Sequence, residues 1–279
     1  MSTTPGIDVS RWQGEINWGM VAAAGYRFAI IRATVGNYYT DPRFYDNWSG
    51  ARGAGLLVSA YHVVTPEHSA ESQIARFFDV LDGRKANLPL ALDVELSRGI
   101  SPAGITACVK DCLREVKQED GRKPIIYTAK WFWNHQVLES PQWSEYDLWV
   151  AHYGVSSPTL PAGWEEWKFW QHTDKGQLPG IAAETDVNWF NGSYDDLLAY
   201  ANVGPEIKPR PSVGLRARVT ASRVNVRSGP GVNYSDIGDL YEGDVVNVVS
   251  IDGKDVWIEF EPGKWGALVF RGTRYMELE

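Results

Sequence analysis

The spacing of short apolar segments constrains the fold of this chain more than any other feature. Eight such segments recur between residues 5 and 190, and helix-length pieces with glycines at their ends separate the first five. The segments are GIDVS, RFAIIRAT, LLVSAYHVV, PLALDVE, KPIIYTA, YDLWVAHY, WKFWQHT and ETDVNWF. Strands that alternate with helices indicate βαβ units, and eight of them favour a closed barrel. Because the later connections are too short for full helices, we predict an irregular, parallel α/β barrel.

Polar residues stand at the ends of several predicted strands. They are Asp8 in the first strand, Tyr61 in the third, Asp93 and Glu95 in the fourth, Tyr127 in the fifth and Asp186 in the last. Reactive side chains of such barrels lie at the C-terminal ends of the strands. We therefore expect one cleft to collect all six.

The stretch PLALDVELSR carries two carboxylates that are one residue apart, Asp93 and Glu95. In an extended strand both point to the same face, with Cα atoms about 6.6 Å apart. Like charges at this distance repel, so the more buried carboxyl should have a raised pKa, as a general acid requires. A solvated acidic loop is the alternative, but the preceding apolar run of residues 90–92 favours the end of a covered strand.

Charge and hydropathy exclude two classes of partner. The 279 residues are 44% hydrophobic with a net charge of -8, so no basic stripe for nucleic acid is predicted. No apolar run reaches the roughly 18 residues that a membrane span needs. The first residues, MSTTPGIDVS, do not resemble a secretion signal, which predicts synthesis in a cytosol without membrane insertion.

Cys108 and Cys112 lie four residues apart in a helical pattern, on one face with Ile105 and Val109. We interpret them as reduced core residues. A metal pair is the alternative, but no histidine or second cysteine pair follows at ligand spacing. The sequence therefore predicts neither a metal nor a cofactor.

A second, smaller module is predicted after the barrel. Residues 204–214 lie in a Pro- and Gly-rich stretch that is typical of an extended linker. Residues 215–279 then alternate apolar and polar positions between turn residues, which indicates a small all-β domain. The predicted organisation is thus a barrel in residues 1–203, a linker, and a β module.

Seven motifs in the same order resemble the glycoside hydrolase family 25 lysozymes. They are GIDVSRWQG, AYHVV, LALDVE, IIYT, WVAHY, WQHT and TDVNWF, within about residues 5–200. The resemblance implies a flattened, modified (β/α) TIM-like barrel. It also implies hydrolysis of the β-1,4 bond between N-acetylmuramic acid and N-acetylglucosamine in peptidoglycan. Trp189 departs from the smaller or polar residue expected there.

The resemblance assigns roles to the acidic residues. Glu95 matches the general acid that protonates the leaving glycosidic oxygen, and Asp93 matches the carboxylate beside it. Asp8 and Asp186 match the remaining acids of the cleft. Three routes stay open for the second step: attack by the substrate's own 2-acetamido group oriented by Asp93, a direct nucleophile, or an inverting water.

Further residues are predicted to contact substrate or to position the acids. Eleven of the 13 tryptophans precede residue 215, and their flat faces suit sugar rings, although each could instead pack in the barrel. Trp12, Trp131, Trp149 and Trp170 lie near predicted strand ends. The predicted substrate-binding residues are Tyr61, Tyr127, Tyr153, Gln171, Asn188, Trp12 and Trp131.

The motifs VNVRSGPGVNYSDIG and GDVVNVV of residues 215–279 are similar to a bacterial SH3-like module. Such modules bind the bacterial cell wall, which is the partner that the resemblance implies. A barrel of this family joined to such a module resembles a bacteriophage endolysin that reaches the wall of a Gram-positive host through a holin-opened membrane. A secreted bacterial autolysin is the competing origin.

Two other functions are weighed. A family 18 chitinase or endoglucosaminidase also carries D-x-E, but its further aspartates would stand where this chain has Leu88 and Ala91. A non-catalytic wall-binding protein would be a decayed enzyme, and the presence of all four acidic residues argues against it.

Overall fold

A computed structural model describes residues 2–201, 216–229, 231–247, 250–252, 257–261, 264–270 and 273–278. Residues 2–201 contain one sheet, built from β1 (Thr3–Val9), β2 (Phe28–Val35), β3 (Tyr39–Thr40), β4 (Leu57–Val63), β5 (Ala91–Asp93), β6 (Ile125–Ala129), β7 (Leu148–Ala151), β8 (Phe169–Gly176) and β9 (Thr185–Asn191). β1 pairs with both β2 and β9 and closes the barrel, while β3 forms a hairpin with β2. The predicted barrel is confirmed.

The direction of the last strand differs from the parallel sheet expected from the sequence. β1, β2 and β4 to β8 run parallel, whereas β9 is antiparallel to both β8 and β1. The connection between β8 and β9 covers only residues 177–184. A parallel pair needs a crossover of a dozen or more residues, so this short connection can only return antiparallel.

Within the described residues the barrel carries α1 (Trp18–Ala23), α2 (Phe44–Gly53), α3 (Ala70–Leu81), α4 (Pro102–Asp120), α5 (Lys130–Gln136) and α6 (Tyr194–Tyr200). The bounds of α4 follow from its sequence. The Ser101 side chain accepts a hydrogen bond from the Gly104 N–H, Pro102 begins the first turn, and Gly121 at φ +79° ends the helix. Cys108 and Cys112 lie on α4 as free thiols. No described helix has the length and apolar character of a membrane span.

The barrel interior consists of an apolar half and a polar half. Side chains alternate across each strand, so Phe28 and Ile30 belong to the interior cluster while Ala29 and Ile31 do not. The aromatic ring of Phe28 packs so closely on Gly6 that a Cβ there would lie 2.4 Å from it. α6 adds Leu197 to the same cluster and closes the N-terminal end of the parallel strands. Polar side chains line the interior at the opposite end, where the parallel strands finish.

No described helix follows β7 or β8, which agrees with the irregular, flattened barrel predicted from the short connections. Tryptophans cover the outer face of these strands instead: Trp164, Trp167, Trp170 and Trp189 pack with Leu148 and Val150. The prediction of Trp170 as a groove residue is therefore wrong. Its ring points to the outside of β8 because neighbouring residues alternate, and Gln171 takes the inward position.

The C-terminal residues form a separate set of short strands. They are β10 (Arg216–Val219), β11 (Arg223–Arg227), β12 (Asp236–Tyr241), β13 (Val245–Asn247), β14 (Ser250–Asp252), β15 (Trp257–Glu261), β16 (Lys264–Ala267), β17 (Val269–Phe270), β18 (Thr273–Arg274) and β19 (Met276–Leu278). Their pairings are antiparallel. Val219, Val224, Ile258 and Met276 belong to a core cluster of their own. The predicted linker, 204–214, lies outside the described residues.

Candidate active site

The polar ends of the strands meet in one pocket of about 210 Å³. It is lined by Asp8, Tyr61, Asp93, Glu95, Tyr127, Trp149, Tyr153, Gln171 and Asp186. All four acidic residues singled out from the sequence are therefore brought together, with the three predicted tyrosines and Gln171.

Asp186 reaches this pocket by a different route from the one expected. It is the second residue of β9 rather than the end of a parallel strand, and it pairs with Asp8 of β1. Because β9 is antiparallel, its beginning lies at the end of the barrel where the other strands finish. The predicted position of Asp186 along its strand was wrong, although its place in the pocket agrees.

Asp8 is held by two side-chain amides. Its Oδ2 accepts hydrogen bonds from Asn188 Nδ2 at 2.7 Å and from Gln171 Nε2 at 2.8 Å. The Trp149 indole N–H donates to Asn188 Oδ1 at 2.7 Å. An indole can only donate, so Trp149 fixes the orientation of the Asn188 amide and turns its N–H group toward Asp8.

Asn188 is thus a positioning residue rather than the substrate contact predicted from the sequence. The side chain is fully buried and its polar atoms bond Trp149 and Asp8. Trp149 is also buried, and it meets the pocket between the rings of Tyr61 and Tyr127. Sequence reasoning did not identify this orienting role, because an indole hydrogen bond between distant strands leaves no local pattern.

Gln171 links Asp8 to two tyrosines. Its Oε1 accepts hydrogen bonds from the hydroxyls of Tyr127, at 2.8 Å, and Tyr153, at 2.5 Å. The amide is thereby satisfied on both sides and is held rigidly across the floor of the pocket. Burial raises the pKa of Tyr127 well above its usual value, so this hydroxyl remains a neutral donor.

Asp93 and Glu95 face the same pocket but differ in their surroundings. β5 ends at Asp93, and the next residue is fixed by a hydrogen bond from its N–H to the Tyr127 carbonyl and one from the Thr128 hydroxyl to its own carbonyl. Asp93 is buried, and its Oδ1 has no hydrogen-bond partner among the described residues. Glu95 is exposed at the mouth. Both residues line the pocket, so the expected shared cavity is present, although the more buried carboxyl is Asp93 and not Glu95, which the family resemblance matches to the general acid.

The pocket favours protonated carboxyls. Burial, and then the charge of Glu95, raises the pKa of Asp93 well above its usual value. Burial, and then the charge of Asp186, does the same for Asp8. Burial and the charge of Asp174 raise the pKa of Asp186 to about 6. Glu95 is exposed as a residue, yet partial loss of water around its carboxyl also raises its pKa.

Arg32 is a cation near the pocket that sequence reasoning missed. Its Nε donates to Asp41 Oδ2 at 2.8 Å, and its charge lowers the pKa of Asp93. That effect is smaller than those of burial and of the neighbouring carboxyls, which are the larger causes. The strand alternation of β2, with Phe28 and Ile30 inside, is the signal that could have placed Arg32 inward.

Comparison with known proteins identifies this arrangement. The model of the glycosyl hydrolases family 25 matches residues 7–181. Lysozyme M1 of Streptomyces globisporus is 38% identical over 218 residues, which cover 72% of each chain. The chain belongs to glycosyl hydrolase family 25. A bacterial lysozyme structure from Streptomyces coelicolor matches with a TM-score of 0.67 and 37% identity, over 72% of this chain and 98% of that one.

A second relative extends the comparison. The N,O-diacetylmuramidase of Chalaropsis is 30% identical over 210 residues, which cover 70% of this chain and 97% of the relative. The region that the family model matches contains Asp8, Asp93 and Glu95, and Asp186 lies five residues beyond its end. This family 25 chain is a glycoside hydrolase, in agreement with the several carboxyl groups that line one pocket.

A second cavity of about 350 Å³ lies at the same end of this family 25 barrel. Trp131, which is 68% exposed, lines it, and its contact with substrate stays a prediction. Trp12 is 66% exposed on the short 3₁₀ helix Arg11–Gln13, with the Arg11 guanidinium 4.4 Å from its ring centroid. Trp12 lines neither of the two cavities, so its predicted contact with substrate remains a proposal.

No cluster of His, Cys, Asp or Glu suited to a metal ion is found in the part of the chain that the structure describes. Two amides hold Asp8, whereas Asp93 Oδ1 has no hydrogen-bond partner among the described residues. The chemistry that these groups can carry is proton transfer and stabilisation of positive charge.

Proposed function

We propose that this chain is an endo-acting N-acetylmuramidase that hydrolyses the β-1,4 bond between N-acetylmuramic acid and N-acetylglucosamine in peptidoglycan. The observation that carries the proposal is the pairing of exposed Glu95 with buried Asp93 in a pocket of raised carboxyl pKa values. The names of two relatives, a lysozyme and an N,O-diacetylmuramidase, support the substrate class.

Glu95 is the proposed general acid. A glycosidic oxygen leaves readily only if it is protonated as the bond breaks, and a carboxyl with a raised pKa can supply that proton near neutral pH. Glu95 stands at the mouth of the pocket, where a long glycan strand can reach it. Asp93 lies too deep to take this role.

Asp93 is proposed to orient the substrate group that attacks as the glycosidic bond breaks. Its unpartnered Oδ1 needs a hydrogen-bond donor, and the N–H of a substrate 2-acetamido group can provide one. The oriented acetamido oxygen would attack the anomeric carbon as the bond to the glycosidic oxygen, protonated by Glu95, breaks, and water would then open the resulting ring with net retention of configuration. NMR of the first sugar anomer released tests this step, because an inverted product would contradict it.

Digestion of purified peptidoglycan followed by mass spectrometry tests the function. We expect fragments with muramic acid at the new reducing end. N-acetylglucosamine at that end would identify a glucosaminidase, and free peptides would identify an amidase. Either result would contradict the proposal.

Trp131 is proposed to stack on a sugar ring, and its helix offers a matched control. Trp131→Ala should lower kcat/KM about tenfold with little change in stability, because the ring is 68% exposed. Trp133→Ala, two residues on, should instead lower the free energy of unfolding by about 3–5 kcal/mol, because that ring is 1% exposed. Kinetics and thermal melting of both variants would separate the two roles. A large loss of stability in Trp131→Ala would assign it to packing.

We further propose that residues 215–279 form an SH3-like domain that binds the bacterial wall. Supporting features are its own core cluster and the exposed apolar side chains around the β11–β12 hairpin, Val232, Tyr234, Ile237 and Tyr241. Joined to the barrel, such a domain suits a bacteriophage endolysin of a Gram-positive host, made in the cytoplasm and released through a holin. Lysis of a Gram-positive panel, with and without a coexpressed holin, tests this origin.

The two-module proposal predicts that residues 1–205 fold alone and remain active on soluble wall fragments. The barrel clusters contain no residue of the C-terminal strands, so removing these strands should leave the barrel core intact. Binding to intact cells should fall. A truncated chain that is unfolded by circular dichroism, or a 213–279 fragment that binds no susceptible wall, would contradict this organisation.

A further inference from the structure

The second cavity adjoins the acidic pocket but has a different lining. It is formed by Lys130, Trp131, Asn134, His135, Ala151, His152 and Thr159. Lys130 follows the end of β6 and Ala151 ends β7, whereas Tyr127 and Trp149 of the same two strands line the acidic pocket. A substrate held over the acids can therefore extend from one cavity into the other.

Hydrogen bonds fix several lining groups as donors. The Thr159 N–H donates to His152 Nδ1 at 3.0 Å, so the neutral ring carries its proton on Nε2. The Ala162 N–H donates to Asn134 Oδ1 at 2.9 Å, which leaves the Asn134 amide nitrogen to donate. The cavity thus offers an imidazole N–H and an amide N–H beside the ring of Trp131.

Charge gives the clearest contrast between the two cavities. Lys130 supplies a cation, and none of the described lining residues is Asp or Glu. No ion pair joins Lys130 to any residue of the described ranges. The neighbouring pocket is lined by four carboxyls and by no Lys or Arg. An anionic group on a bound glycan would therefore be repelled by one cavity and attracted by the other.

We propose that this second cavity binds a carboxylate carried by the side branch of a muramoyl sugar, with Lys130, Asn134 and His152 as its donors. The inference rests on the proposed muramidase function. A muramoyl sugar carries a lactyl ether that ends in a carboxylate or continues into a peptide with carboxylates, and N-acetylglucosamine carries neither. The cavity would therefore select branched wall glycan over uncharged glycan and fix the register in which the bond meets Glu95.

The test compares Lys130→Met with the wild type on three forms of the same glycan. The first bears its peptides, the second has been stripped by an amidase so that the lactyl carboxylate is free, and the third has all carboxylates converted to methylamides. We expect kcat/KM to fall about three- to tenfold on a carboxylate-bearing form, and to be unchanged on the methylamide form. The glycan form on which kcat/KM falls shows whether the bound carboxylate belongs to the peptide or to the lactyl group.

Lys117→Met is the matched control, since this exposed lysine lies in the last turn of α4, which leads to the opposite end of β6. It should leave kcat/KM unchanged on all three glycans. An equal loss in Lys130→Met on the methylamide form, or no loss on any form, would overturn the inference. Failure of the proposed function is distinguishable, because the wild type itself would then release no muramic reducing ends.

Discussion

Replacement of Glu95 by Gln is expected to lower turnover by about 10²- to 10⁴-fold, the usual range for loss of a general acid. Gln keeps the shape and hydrogen-bonding capacity of the side chain but has no transferable proton. The fold should persist, because Glu95 is exposed and lies beyond the end of β5. Release of reducing sugar from purified peptidoglycan measures the effect, with melting temperature as the check on folding.

Glu119→Gln provides the control for this change. Glu119 is exposed on α4 and lines neither cavity, so the same change of charge should leave turnover within about twofold of the wild type. Retention of nearly full activity by Glu95→Gln would remove Glu95 from the mechanism and leave Asp186, which lines the same pocket, as the candidate acid.

Asp93→Asn is expected to have the second largest effect, a loss of turnover of about 10²-fold or more. The variant lacks the negative charge that orients the acetamido group or stabilises the developing cation. It should also move the alkaline limb of the kcat/KM profile toward acid. In the wild type, repulsion between the two carboxylates raises the pKa at which the Asp93–Glu95 pair loses its last proton. The single carboxyl that remains in the variant therefore releases its proton at lower pH. An unmoved limb would show that burial, or another neighbour such as Asp186, sets the pKa of Glu95.

The same substitution should stabilise the protein at neutral pH. Burial raises the pKa of Asp93, so the folded chain binds this proton more tightly than the unfolded chain does. The free energy of unfolding of the wild type therefore falls as the pH rises above 3.8, the pKa of this carboxyl in the unfolded chain. The total loss is about 1.4 kcal/mol for each unit by which the folded pKa exceeds the unfolded pKa. Asn does not titrate. Denaturant unfolding at pH 3 and pH 7 should show a gain that is larger at pH 7, and equal gains would contradict this account.

Much of the site could be predicted because it follows from alternation within strands. Asp93 and Tyr127 each stand two residues along from an apolar inward residue, Ala91 and Ile125, so their convergence at one barrel end follows from a period of two. Gln171 and Trp170 show the limit of this reasoning. Both lie in the same apolar-aromatic strand, and without the neighbouring strands the sequence does not show which of them faces inward.

Features that depend on pairing between distant segments could not be read from the sequence. The antiparallel direction of β9 follows from the short connection of residues 177–184, whose length depends on where β8 ends. The burial of Asn188 depends on Trp149, 39 residues earlier in the chain. The contrast between Trp131 and Trp133 similarly depends on which face of α5 meets the barrel.

The closure of the barrel through β1 and β9 has a consequence for how the chain folds. Asp8 and Asn188, which bond each other, are 180 residues apart in sequence. During synthesis β1 can pair with β2 early, but its other edge stays open until residues 185–191 have left the ribosome and α6 can close the barrel end. Such long-range closure slows folding and exposes an unpaired edge. The acidic pocket therefore cannot be complete before β9 has emerged, and a nascent chain that stalls before β9 has no assembled site.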